Sequence, residues 1–154
     1  MPEGRDRVAL GFDFGLKRIG IASGDTVTAT AAPCATVRSG AAGPDWAAID
    51  RLLQRFAPDV LVVGTPRHAD GSLSSLADAA DHFAAQLAER CRLPIVRIDE
   101  FASSIEATDA LRRSRSAGLR RRRVRHADID AAAAAIILGR WLSAETKAGK
   151  EGVA

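Results

Sequence analysis

The sequence predicts an α/β domain on a mixed β-sheet, with antiparallel first hairpin strands, parallel later strands and flanking helices. Three observations predict it. The first forty residues read as closely spaced strands joined by short connections, the later strands alternate with amphipathic segments of helix length, and no internal repeat or low-complexity linker interrupts the 154 residues. One domain over 1–154 is therefore expected, with a core of about 7–144 and short tails polar or small enough to fray.

Val8 to Phe14 alternates as a half-buried strand, with Val8, Leu10, Phe12 and Phe14 on one face and Ala9, Gly11, Asp13 and Gly15 on the other. Asp13 thus lies on a face whose small neighbours leave room. Arg18 to Ser23 and a segment ending near Val37 supply two antiparallel neighbours, joined through Gly15 to Lys17 and Gly24 to Thr26. A helix follows from Pro44, a favoured first-turn residue, with Trp46, Ile49, Leu53 and Phe56 on its buried stripe.

Val60 to Gly64 is a short β-branched strand leading into a loop, Thr65 to Gly71. From Ser72 the apolar positions Leu73, Leu76, Ala77, Ala80, Phe83, Ala84 and Leu87 follow helical spacing. Pro94 to Ile98 reads as a strand ending at Asp99 and Glu100, and Ser103 with Glu106 has capping-box spacing for a helix beyond. The last helix, about Asp128 to Ala144, puts Ala133, Ala134, Ile137 and Trp141 on the side of Asp130. That stripe aims Asp130 inward.

Composition narrows the function class. A chain of this length buries a core without disulfides or zinc, and Cys34 and Cys91, isolated from each other, are expected to be buried thiols. His68, His82 and His126 are equally scattered, which disfavours a zinc site. No apolar stretch reaches membrane-spanning length and Met1 to Arg7 is too short and charged for a signal peptide, so no membrane partner and a cytoplasmic location are expected. The sequence leaves the oligomeric state open.

Charge is unevenly placed. Eight arginines and no acid lie between Arg112 and Arg125, leaving the remainder of the chain with 14 basic against 19 acidic residues. Such a block suits a polyanion gripped through its phosphates, although a charge run is as often a solvated loop. The chain has no tyrosine, and most of its five phenylalanines and two tryptophans fall on core faces. A platform that stacks successive bases is therefore disfavoured, and backbone and shape recognition is expected.

Three carboxylates stand out: Asp13 inside the glycine-framed segment Gly11 to Gly20, Glu100 after the run Pro94 to Ile98, and Asp130 at the head of the alanine-rich segment. Each sits where a strand or helix holds it rigidly. Brought together, they make an all-oxygen site for a hard divalent cation of the kind that cuts phosphodiester bonds. Each also has a plainer reading, since acids at strand ends form turns and caps. Asp128 competes with Asp130 as helix cap, but the two point to nearly opposite sides of a helix, so only one joins a site.

Four blocks in order, Gly11 to Ala22 (GFDFGLKRIGIA), Val63 to Ser72 (VGTPRHADGS), Asp99 to Ala107 (DEFASSIEA) and Asp130 to Leu138 (DAAAAAIIL), make the chain resemble the YqgF family. These are bacterial proteins of ribonuclease H-like fold, described as pre-16S rRNA nucleases and as Holliday junction resolvase homologues. The resemblance covers about Val8 to Leu142. It implies that Asp13, Glu100 and Asp130 are both the catalytic acids and the ligands of Mg²⁺ or Mn²⁺. It departs from the family at Phe101, where arginine is usual after the Asp-Glu pair, and at His68 and Ala69, where asparagine and methionine are more common.

The implied activity is metal-dependent hydrolysis of structured nucleic acid, first of all processing of the 5′ end of pre-16S rRNA. Holliday junction resolution on branched DNA is the alternative, and a catalytically silent nucleic-acid-binding protein a further one. An ATP-dependent phosphotransferase of the same fold would need two such domains. Candidate contacts to the nucleic acid are Lys17, Arg18, Gly71, Arg120, Arg121, Arg122, Arg123 and Arg125. Lys17 and Arg18 are equally readable as exposed turn cations, and Gly71 as a turn glycine. Three acids in one place repel one another, so without metal at least one carboxylate should be easier to protonate.

Overall fold

The computed structural model describes residues 7–67, 75–101 and 126–152. Within them the strands are β1 (Val8–Phe14), β2 (Arg18–Asp25), β3 (Thr30–Gly40), β4 (Gly43–Pro44), β5 (Val60–Arg67) and β6 (Ile95–Phe101). The helices are α1 (Trp46–Phe56), α2 (Ser75–Cys91) and α3 (His126–Gly152). The strands form one sheet in the order β4-β3-β2-β1-β5-β6. β1 to β3 pair antiparallel, while β5 pairs parallel with β1 and β6 parallel with β5. The mixed sheet is the one the pattern predicts.

Alternation along β1 divides the core in two. Leu10, Phe12 and Phe14 pack with Ile19, Ile21, Leu61 and Val63 against Ile49 of α1 and Phe83 and Leu87 of α2. Phe83 is the hub of that half, its ring centroid 5.8 Å from Phe12, 5.1 Å from Phe14 and 5.5 Å from Trp46. On the other face Ala9, Ala22, Val60 and Val62 pack against Ala134, Ile137, Leu138, Trp141 and Leu142 of α3. Small residues on this face let the helix lie close. A Cβ at Gly11 would stand 2.8 Å from the Cβ of Leu138.

Several boundaries differ from the sequence pattern, each for a local reason. The second hairpin turns at 26–29 rather than Gly24 to Thr26, because Asp25 Oδ1 accepts from the Thr28 amide at 2.9 Å and anchors the turn further along the chain. Pro44 belongs to β4, and α1 starts after Asp45, whose carboxylate accepts from the Ala48 amide at 3.2 Å as an N-cap. β5 runs on through Thr65 to Arg67, residues assigned above to a loop, and β6 extends to Phe101. α3 begins at His126 and continues to Gly152, past the end predicted near Ala144.

Both cysteines are half-buried rather than buried. Cys34 falls where the β2–β3 register shifts, and Cys91 ends α2 with its thiol donating to the Leu87 carbonyl at 2.9 Å. The capping box at Ser103 and Glu106, the loop residues 68–71 and the start of the second helix at 72–74 lie outside the described residues. No helix among the described residues is long and apolar enough to cross a membrane.

Candidate active site

Asp13 sits near the C-terminal end of the central strand β1, with Gly20 of β2 on one side and Gly64 of β5 on the other. Both neighbours lack a side chain, and the space is filled by α3. At Gly20 the helix backbone comes so close that a Cβ would fall onto the carbonyl of Asp130. At Gly64 a Cβ would stand 2.5 Å from Ile137 Cδ1. The glycines flanking Asp13 thus set the height of α3 over the sheet, and with it the place of Asp130.

Asp13 is 7% exposed, the one buried charged residue among those described. Its Oδ1 has no hydrogen-bond partner among the described residues. Burial, and after it the negative charge of Asp130, pushes its carboxyl up from 3.8 to about 7. Asp130 is treated differently: Arg18 Nε donates to its Oδ2 at 2.7 Å. Of the two acids the fold brings together, one is paired with an arginine and the other has an oxygen without a partner among the described residues.

Glu100 is placed by its backbone. In the parallel register Asp13 pairs with Gly64, Gly64 with Ile98, and Glu100 lies two positions beyond Ile98, opposite Pro66. Strand alternation gives Glu100 the parity of Ile98, which packs in the half-core under α3, and gives Asp99 the opposite parity. β6 is fixed nearby by Arg97, which donates to the Val63 carbonyl at 2.9 Å and to Asp81 at 2.8 Å. The side chains of Asp99, Glu100, Phe101 and Asp128 lie outside the described part of the structure. Among the described residues no three His, Cys, Asp or Glu side chains converge.

Lys17 is exposed on the β1–β2 turn, and Arg18 opens β2 as the partner of Asp130. Gly71, His68, Ala69 and the arginines Arg120, Arg121, Arg122, Arg123 and Arg125 lie outside the described residues. Two features escaped the sequence pattern: the Arg18–Asp130 pair and the close-approach role of Gly20. The second was findable, since a turn over 15–17 sets Gly20 opposite Asp13. The pair joins residues 112 positions apart and leaves no local mark.

The donor set fits a hard cation. A buried carboxylate that resists ionisation beside a second carboxylate, with an oxygen that has no partner among the described residues, suits the positive charge that all-oxygen coordination of Mg²⁺ or Mn²⁺ would bring.

A family model described as "RuvX: Holliday junction resolvase" matches residues 7–144. Two proteins named "Putative pre-16S rRNA nuclease", from Xanthomonas oryzae pv. oryzae (strain PXO99A) and Xanthomonas axonopodis pv. citri (strain 306), are 46% identical to this chain over 143 residues. Those alignments cover 93% of the chain and 92% of each relative. Among solved structures, T. thermophilus RuvC in complex with Holliday junction substrate matches with a TM-score of 0.51 at 18% identity, covering 90% of this chain and 95% of that one. Fowlpox virus resolvase with Holliday junction DNA matches with a TM-score of 0.50 at 14% identity, covering 90% and 98%. These likenesses place the fold in the ribonuclease H-like class.

Proposed function

Because the chain belongs to the family described as RuvX, Holliday junction resolvase, we propose that it is a divalent-metal-dependent nuclease that processes the 5′ end of pre-16S rRNA. The observation that carries this reading is Asp13, a buried carboxylate with an oxygen that has no partner among the described residues, set beside Asp130 under the N-terminal part of α3. Asp13 and Asp130, joined by Glu100 from β6, hold the metal. The chemistry such an ion would supply there is activation of the attacking water and stabilisation of the leaving oxygen. Asp13 would hold it as the carboxylate, its proton having passed to solvent. Arg18 keeps Asp130 oriented, and its guanidinium stands near enough to the site to meet a substrate phosphate.

The nucleic acid is held through its backbone by Lys17, Gly71 and the arginines Arg120, Arg121, Arg122, Arg123 and Arg125. Recognition of this kind fixes position without reading sequence, which suits a structured RNA. An rRNA precursor as substrate puts the enzyme in the cytoplasm. The rRNA reading is preferred because the relatives at 46% identity carry that name. The family's own description favours a second one, resolution of branched DNA. That would require a two-fold dimer to cut symmetric strands, whereas trimming an RNA end is open to a monomer.

The test is cleavage of a precursor rRNA fragment and of a four-way DNA junction with Mg²⁺ or Mn²⁺, alongside mass in solution. Replacement of one metal ligand as Asp13→Asn, Glu100→Gln or Asp130→Asn removes about 3 kcal/mol or more of transition-state stabilisation, a rate loss of about 100-fold or greater. Three folded variants that cut as fast as the wild type would overturn the metal site. A wild type that binds both substrates and cuts neither would make the chain a silent binding protein.

A further inference from the structure

Arg18 has a cross-strand partner that none of the site's chemistry uses. In the β2–β3 register it stands directly opposite Arg38. Like charges facing each other across a sheet are unfavourable unless something neutralises them. Asp130 does so for Arg18 at 2.7 Å. Arg38 is exposed, and among the described residues it has no carboxylate partner.

The face is fixed by neighbours. Val37 is buried in the half-core against α1 and α2, so alternation turns Arg38 to the α3 face, the face of Asp13 and Asp130. The turn that carries Lys17 is tied to the same place, because the Ser39 amide donates to the Lys17 carbonyl at 2.9 Å. Two exposed cations therefore flank the site on the β3 side, away from β5 and β6. Counting two strand spacings sideways and two residues along, Arg38 Cα is about 12 Å from Asp13 Cα.

We propose that Arg38, with Lys17 beside it, is a second phosphate-binding position, holding a backbone phosphate about three nucleotide steps, at roughly 3.4 Å per step along the axis, from the one that is cut. The substrate would then cross the sheet end from the β6 side to β3. Its chemistry is a phosphodiester backbone, which RNA and DNA share. Arg38 is a positioning residue: it grips the chain without touching the reacting phosphate. The inference rests on the proposed nuclease function and deepens it.

The experiment measures binding, not cleavage. Full-length wild type, Arg38→Ser, Arg38→Lys and Arg55→Ser are titrated with a labelled precursor rRNA fragment and with a labelled four-way junction, in EDTA, over a range of salt. Loss of one phosphate contact flattens the log-log salt slope by about 0.7 to 0.9, which corresponds to about five- to eightfold weaker binding at 0.1 M salt relative to 1 M. Arg38→Ser should show this, and Arg38→Lys should keep most of the slope because the point charge remains. Arg55 is exposed on α1, on the opposite side of the sheet, so Arg55→Ser makes the same change in net charge and should leave the slope alone.

Whichever probe carries the effect identifies the source of the backbone. The proposal falls if Arg38→Ser keeps the wild-type slope on both probes, or if Arg55→Ser flattens it equally. If the wild type binds and cuts neither probe, the nuclease reading falls and takes this one with it. A wild type that cuts, with an Arg38→Ser slope unchanged, overturns this inference alone.

Discussion

Replacing Asp13 by asparagine should make the metal-free protein more stable while lowering its activity about 100-fold or more. In the folded chain the Asp13 carboxyl is raised from 3.8 to about 7, first by burial and then by Asp130. A raised carboxyl binds its proton more tightly folded than unfolded, so folding loses stability as pH climbs from about 3.8 through 7 and levels off above. At about 1.4 kcal/mol per pH unit the whole shift corresponds to roughly 4 kcal/mol. Water reaching the ionised group lowers that ceiling, and we expect about 2 to 4 kcal/mol at pH 8. For a chain of this size the gain is about 4 to 16 °C in Tm.

The assay is thermal unfolding of wild type and Asp13→Asn in EDTA at pH 4, 6 and 8. The two should nearly coincide at pH 4 and separate progressively toward pH 8, the asparagine variant being the more stable. Saturating Mg²⁺ at pH 8 should then raise the wild type, by about 2.7 kcal/mol at a hundredfold excess over Kd, and move the variant much less. A separation of equal size at pH 4 and pH 8, or a variant less stable than wild type throughout, would refute the reading of Asp13 as a buried acid awaiting a cation.

Packing makes three further predictions. Gly20→Ala should cost about 3 kcal/mol in urea unfolding, the upper end for overpacking, because its Cβ meets the Asp130 carbonyl on a helix backbone rather than a flexible side chain; cleavage should fall even where the variant is folded. Gly139→Ala, in α3 with nothing within 4 Å of the added carbon, should instead add about 0.5 to 1 kcal/mol of stability, and a loss would show that α3 is not a regular helix there. Phe83→Ala, which empties the aromatic hub under α1 and α2, should lower the unfolding free energy by about 3 to 5 kcal/mol.

Legibility followed period and separation. The two faces of β1 and the stripe of α3 were readable, because alternation of Leu10, Phe12 and Phe14 with Ala9 and Gly11 has period two and Ala134, Ile137 and Trp141 keep helical spacing. Boundaries decided by a single side chain were not. Asp25 moved a turn and Asp45 moved a helix start through one hydrogen bond to a backbone amide, and no periodicity records such a bond. Asp13 was legible as a residue with room beside it, but not as a buried one. Its burial comes from α3, more than a hundred residues later, descending onto Gly20 and Gly64.

The same descent explains why this chain needs an arginine at position 18. Bringing Asp130 over the sheet sets a half-buried carboxylate beside the buried Asp13, and the two repel each other. Arg18, two residues before Gly20 on the same strand face, reaches Asp130 and offsets part of that charge, the remainder still acting on Asp13. Among the described residues Asp13 Oδ1 has no such partner, so the acid that resists ionisation is the buried one of the two. A cation arriving there displaces a proton held at about 7, and its apparent affinity must fall with that proton's return. One pH unit below that value only about a tenth of the carboxyl is ionised, so Mg²⁺ affinity measured by calorimetry should drop about tenfold from pH 8 to pH 6 with net proton release. An affinity that does not change over this range would mean that the ion binds without displacing the Asp13 proton, and that Asp13 is not one of its ligands.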